Sequence, residues 1–219
     1  MASTTRGYIL YVSDDAGAWG REWFHRTDHP DGRKTVRTVS ELEPLDVIRE
    51  VTVTVDRDFR PLDCVERLFE RGDTAVGRFR FDGGALECEA VVAGSEAVRR
   101  IEVDGRASYL GPHPRWGDAW LAGYVDEGPP GRRTVEGYLG ARLAGAAAGP
   151  WIGAGTLDVE ELPRERVETP AGVFETRRFR FHDEAGCQDV WVTDDFVFVR
   201  TRNEALGVEG VLQELEREP

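Results

Sequence analysis

His113 stands between two prolines in Gly111-Pro-His-Pro-Arg-Trp-Gly-Asp-Ala-Trp120, with an acid at 118 and two tryptophans in the same segment. Proline on either side presets the backbone and turns it away from helix, so the imidazole sits on a stiff connection. An imidazole titrates near neutrality and can take or give a proton, and a carboxylate such as Asp118 can orient it if the loop turns back on itself. Asp118 also has a structural reading: it is placed to cap the free amides of a short helix over Ala119-Trp-Leu-Ala-Gly-Tyr124. The two roles are compatible. Trp116, Trp120 and Tyr109 would wall the imidazole with aromatic surface suited to a flat apolar ligand, or else seal one end of the core. Tyr124 and Tyr138 are hydroxyl donors or packing residues of the same region.

Three further groups share one phase of the run Arg178-Phe-Arg-Phe-His182. If Arg178, Arg180 and His182 face a concave cavity they can hold a carboxylate or phenolate; if they face water they form a solvated surface. His25, Asp28 and His29 approach a zinc-binding spacing, but Pro30-Asp-Gly32 follows at once and no helical period surrounds them, so they flank a turn and no metal is assigned. Neither a Gly-x-Ser-x-Gly elbow nor an activated Cys-His pairing is visible, and covalent hydrolase chemistry has no support. Cys64, Cys88 and Cys187 are widely spaced and read as reduced core or strand residues.

The elements that must position these groups are mostly strands. Val51-Thr-Val-Thr-Val55 and Arg78-Phe-Arg-Phe81 alternate as half-buried antiparallel strands do. Turn signals separate them, among them Asp82-Gly-Gly84, Asp104-Gly105, Glu184-Ala-Gly186 and Asp194-Asp195. Asp104-Gly105 predicts a hairpin between Ile101-Glu-Val103 and Ala107-Ser-Tyr109, and Asp194-Asp195 predicts one between Val190-Trp-Val192 and Phe196-Val-Phe-Val-Arg200. About ten such strands give an all-β fold with minor α: a single domain over 1–219, its one antiparallel sheet curled into an open or closed barrel around an apolar cavity. One short helix starts at Asp118; a second helical possibility at Ser40-Glu-Leu-Glu-Pro-Leu is limited by Pro44. The Gly/Ala-rich stretch from Gly140 to Gly155 either lets a ligand or backbone come close or is a loop without function.

Charge and length exclude several functions. The chain has 219 residues, 28 Lys+Arg against 41 Asp+Glu and a net charge of −13, which opposes nucleic acid and anionic membrane surfaces. No run reaches the ~20 apolar residues of a membrane helix. The first residues pass straight into Tyr8-Ile-Leu-Tyr-Val12, too short for a signal h-region, so a cytoplasmic protein is expected.

From Val167-Glu-Thr-Pro-Ala-Gly-Val-Phe-Glu-Thr176 through Asp189-Val-Trp-Val-Thr-Asp-Asp-Phe-Val-Phe-Val-Arg200, the C-terminal third resembles a bacterial domain family of unknown function. That family's curled antiparallel sheet is similar to lipoprotein carriers of the LolA/LolB type. The resemblance implies a concave sheet with an apolar cavity. The chain shows neither the signal peptide nor the lipobox cysteine of the periplasmic relatives. Together these features predict a cofactor-independent enzyme of lyase, isomerase or cyclase type, moving a proton on a small hydrophobic or aromatic compound with His113 as base or acid and Asp118 orienting it. The alternative is a non-enzymatic binding or carrier protein for the same kind of compound, and a third reading is a structural partner of an enzyme. A homodimer is compatible with all three.

Overall fold

The computed structural model describes residues 1–82, 85–92, 94–102, 109–111, 115–125, 131–141, 152–183 and 186–218. Alternating side chains produce fifteen strands: β1 (Ser3–Ser13), β2 (Gly17–Asp28), β3 (Lys34–Leu42), β4 (Val47–Val55), β5 (Pro61–Glu70), β6 (Asp73–Asp82), β7 (Ala85–Val92) and β8 (Ser95–Glu102), then β9 (Tyr109–Gly111), β10 (Arg132–Ala141), β11 (Ile152–Thr169), β12 (Gly172–Asp183), β13 (Gly186–Val192), β14 (Phe198–Asn203) and β15 (Val208–Glu218). A helix, α1 (Arg115–Val125), lies between β9 and β10. The Ser40 to Leu45 segment ends β3 and closes with a 3-10 turn at Glu43–Leu45, because Pro44 suits a first turn but not a longer helix.

All fifteen strands form one sheet in the order β8-β7-β6-β5-β4-β3-β2-β1-β15-β14-β13-β12-β11-β10-β9. Each neighbouring pair is antiparallel except β9 and β10, which run parallel. Laid flat, fifteen strands at ~4.8 Å spacing would put the two edges about 67 Å apart. The chain from Glu102 in β8 to Tyr109 in β9 can span at most about 25 Å. The sheet must therefore curl until its edges approach. It stays open, with β8 and β9 as edges.

Two expectations change here. Asp104-Gly105 lies outside the described residues, and the strands on either side of it occupy opposite edges rather than forming a hairpin, because β9 pairs with β10 instead. The helix begins at Arg115, three residues before Asp118. Both follow from one constraint: parallel strands cannot be joined by a tight turn, so the β9 to β10 connection becomes a crossover carrying a helix. The Asp194-Asp195 hairpin forms as expected between β13 and β14. In the Gly/Ala-rich stretch, residues 142–151 lie outside the described set, while Gly140 pairs with Gly153 and Ala141 with Ile152 where β10 meets β11.

α1 packs on the concave side against β13, β14 and β9. Trp116, Ala119 and Ala122 are fully buried, and the Trp116 ring lies 4.1 Å from that of Phe24 on β2. At the far end of the helix two turns of matching build meet. In Asp56-Arg-Asp-Phe-Arg60 the Phe59 amide donates to the Asp56 carbonyl at 3.2 Å, and in Thr193-Asp-Asp-Phe-Val197 the Phe196 amide donates to the Thr193 carbonyl at 3.0 Å. In both, the first residue's side-chain oxygen accepts the last residue's amide, at 2.9 and 3.0 Å. Phe59 and Phe196 adopt left-handed backbone conformations with φ of 59° and 57°, a position that glycine usually fills in such hairpins. Their rings meet edge to face at 5.1 Å, which holds both strained residues in place.

The helix is pressed against this pair. A Cβ at Gly123 would stand 2.8 Å from the Phe59 ring. Alanine gains about 1 kcal/mol of helix propensity over glycine, but overpacking a buried site costs about 1–3 kcal/mol. Gly123→Ala is therefore expected to lower the thermal unfolding midpoint, and to raise it in a Phe59→Ala background where the ring is gone. A rise in both backgrounds would show that the helix is not held against the turn.

Candidate functional site

The first turn of α1 is anchored by a carboxylate from another element. Glu22, on β2, is 0% exposed; its side chain accepts the Arg115 amide at 2.9 Å and the Trp116 amide at 3.1 Å. It therefore satisfies two of the free N–H groups that every helix start presents, as an anion at the positive end of the helix. The Tyr11 hydroxyl also donates to Glu22, and the Ser40 hydroxyl does so at 3.3 Å. The Arg115 guanidinium reaches out to Gln188, whose amide nitrogen donates to Asp118 at 2.8 Å. Gly210 makes room for this: a Cβ there would lie 3.5 Å from Arg115 Cγ and 2.9 Å from the Thr201 hydroxyl.

Polar groups continue along the concave face. Glu22, Ser40 and Arg49 are opposite one another on β2, β3 and β4, and Arg49 Nε stands 3.0 Å from a Glu66 carboxylate oxygen on β5. Burial pushes the Glu22 carboxyl above its ordinary range, against the pull of the Tyr11 hydroxyl and the two helix amides. Burial likewise pushes Glu66 up, opposed by Arg49. Tyr11 is raised well above its usual value, by burial first and then by the Glu22 charge. Such a carboxyl can store a proton, yet the atoms around it are those that a cap and a buried ion pair require.

The expected site residues divide into separate places. His113 lies outside the described residues. Asp118 sits in the first turn of α1, but Glu22 holds the helix amides, and Asp118 faces Gln188 and, at 3.9 Å, Arg115. Trp116 and Trp120 are 0% and 2% exposed, packed on Phe24 and Phe59 as core rather than as a wall of open space. Tyr124 packs partly buried against the same core. Tyr109 and Tyr138 are paired in register on β9 and β10, and their side chains lie outside what the structure describes.

Arg178, Arg180 and His182 are on the outer face, opposite to Phe179 and Phe181 in the core. Arg178 and Arg180 both bind Asp189, and although burial opposes it they hold that carboxyl below its ordinary range. Arg178 and Arg200 flank the Trp191 ring at 4.9 and 5.4 Å, an arrangement of cations on an aromatic face that accounts for both. His182 meets Cys187, with Sγ 3.1 Å from Nδ1, the Cys-His contact that sequence reasoning missed. His25 is on the outer face of β2, and His29 bonds the Thr35 hydroxyl at 3.0 Å beside its turn.

An open recess of about 460 Å³ lies on the outer face over β1, β2, β3 and β15. Tyr8 and Trp23 form its aromatic side with ring centroids 5.5 Å apart, and Val39 continues it; Trp23 is 41% exposed. Arg6, His25 and Arg37 form a second row directly across the three strands. Arg6 is bound by Glu216 at 2.8 Å, whereas Arg37 and His25 have no acidic partner among the described residues. The sequence offers one signal for this face: aromatic residues at 8 and 23 in the phase opposite to Ile9 and Phe24.

No family model matches the chain, and no curated protein does. Among solved structures it is similar to a candidate lipoprotein from Parabacteroides distasonis, at 11% identity and a TM-score of 0.34 over 97% of this chain and 94% of that one. It is also similar to a candidate exported protein with a YmcC-like fold from Bacteroides fragilis, at 9% identity and a TM-score of 0.28 over 98% of this chain and 95% of that one. Neither is described as a carrier of the LolA/LolB type. Both are described as lipoprotein or exported, and the cytoplasmic expectation finds no support in these comparisons. Among the described residues, no helix is long and apolar enough to cross a membrane.

Surface and buried carboxyls make stability depend on pH in two opposed limbs. Asp14 beside Arg202, and Asp158 beside Thr134 and Arg132, sit below their ordinary range, so they contribute above ~pH 4 and lose that contribution as pH falls. Glu22 and Glu66 are raised, so their contribution is complete below ~pH 4 and is lost as pH rises through their folded values. Urea midpoints should therefore climb out of the acid range and then decline. Glu22→Gln and Glu66→Gln should each flatten the decline, while Glu22→Ala, which strips two buried amides of their acceptor, should cost about 2–4 kcal/mol at any pH. An unchanged decline in both glutamine variants would remove these two carboxyls as its cause.

Proposed function

We propose that the protein is a non-catalytic binding protein for a small aromatic or apolar compound that carries an anionic group. The observation that carries this reading is the outer recess, where exposed Trp23, Tyr8 and Val39 adjoin Arg37 and His25. Its volume is within the range of sites for drug-sized ligands, and stacking on exposed aromatic rings favours flat molecules. Arg37 presents a fork of donors to a carboxylate or sulfonate and makes no ion pair among the described residues, although Glu214 and Glu216 also line the recess and Glu216 is held by Arg6. On the concave side, α1 occupies the space beside Phe24 and Phe59.

A second reading, proton transfer on a compound held inside the sheet with His113 as base or acid and Asp118 orienting it, is favoured by one observation. The Tyr11–Glu22 pair bonds the Arg115 amide, so a buried proton store lies at the start of α1, two residues along the chain from His113.

Anilinonaphthalene sulfonate, a flat aromatic anion, tests the first reading by fluorescence titration of the folded protein. Trp23→Ala should weaken binding about tenfold and Arg37→Ala about fivefold, the latter loss shrinking at high salt. Equal affinity in the parent and in Trp23→Ala would place the dye elsewhere and sink the reading. Proton transfer would instead appear as turnover of a bound compound that His113→Ala abolishes.

A further inference from the structure

The outer face of the other half of the sheet carries a constellation that ligand binding in the recess leaves unused. In register across β11, β12 and β13 stand Asp158, His182 and Cys187, and beside them Glu160, Arg180 and Asp189. Cys187 Sγ is 3.1 Å from His182 Nδ1, and on the far side of the ring Nε2 faces a Glu160 carboxylate oxygen at 3.8 Å. Thiol and imidazole thus stand as nucleophile and base, with the Glu160 carboxylate behind the ring at a distance too long for a hydrogen bond. Asp158, the remaining acid facing His182, is engaged by Thr134 at 2.6 Å and Arg132 at 2.8 Å, so Glu160 is the acid left to act on the ring at longer range. Arg180, the neighbour of this pair on β12, is fixed by Asp189 at 2.6 Å.

Access separates this cysteine from the other two. Cys187 is exposed, while Cys64 and Cys88 are 1% and 2% exposed inside the sheet. The location also selects the chemistry. Acyl transfer needs free N–H groups to hold an oxyanion, and the strands here use theirs in the ladder between β12 and β13. Disulfide exchange needs only in-line access of a thiolate to one sulfur.

We propose that Cys187 is a reactive thiol that exchanges with low-molecular-weight disulfides. His182 Nδ1 takes the S–H proton as the sulfur attacks one atom of the disulfide. A new S–S bond forms to Cys187, the original S–S bond breaks, and the departing thiolate leaves as a thiol with the proton returned from His182. The protein thiol is oxidised and half of the small disulfide is reduced, so no further electron acceptor is needed.

Dithiobis(nitrobenzoate), followed by its coloured leaving thiolate and by peptide mass spectrometry, tests this on the folded full chain. One thiol should react rapidly, and the adduct should map to Cys187. His182→Gln should slow the reaction about tenfold at neutral pH with circular dichroism unchanged, and Glu160→Gln should slow it two- to fivefold and displace the rate–pH profile; both losses should shrink at alkaline pH, where any thiol ionises unaided. A His182→Gln rate within twofold of the parent across the pH range would overturn the proposal, as would an adduct on Cys64 or Cys88 alone. Neither result bears on binding in the recess, which lies on the other half of the sheet.

Discussion

A carboxylate taken out of water without compensation is too costly to keep, and Glu22 is kept because it faces the start of α1. Two helix amides and a phenol surround it, so the burial of the acid and the seating of the helix are one event. From that anchor α1 runs about 12 Å along the concave face to Gly123, where the Phe59 turn receives it. The parallel step from β9 to β10 obliges the chain to cross over, and Glu22 fixes where the crossing begins. Without this acceptor the Trp116 side chain and its contact with Phe24 would be joined to a helix start whose amides face an apolar wall.

The two faces of the sheet therefore have different tasks. The concave face is filled by the helix and by the row from Glu22 through Ser40 to Arg49 and Glu66. The outer face holds side chains that remain accessible: Trp23 and Arg37 over the first strands, Cys187 over the later ones. Around these, ion pairs such as Arg178 and Arg180 with Asp189 order the surface and account for residues whose types alone suggest ligand contacts.

Strand rhythm was legible because alternation reports burial directly, as in Val51 to Val55 and in Phe179 and Phe181 against Arg178 and Arg180. The hairpin at Asp194-Asp195 was legible because its flanking strands pair locally. The phase of β2 was not. There Glu22 and Arg26 point inward and Trp23 outward, the reverse of what hydrophobicity suggests, since Arg26 is bound by Asp28 and by the Asp195 and Phe196 carbonyls and Glu22 by the helix. Local pattern also could not place β9, whose partner lies beyond the helix. The Cys187–His182 contact did leave a signal: the two flank the Glu184-Ala-Gly186 turn, and counting outward from it sets them opposite one another.

The strand order has a consequence for connectivity. β1 and β15 meet in the middle of the sheet, and Thr4 is opposite Glu218, so the two ends of the described chain run side by side. Among the described strands, that seam joins the parts of the sequence that lie farthest apart. If the ends were joined and the chain reopened between Glu102 and Tyr109, the strands would follow one another from β9 through β15 and then β1 through β8, each beside its predecessor. A circular permutant of this kind would keep every ladder while making each strand pairing sequential, and it should fold faster to the same sheet.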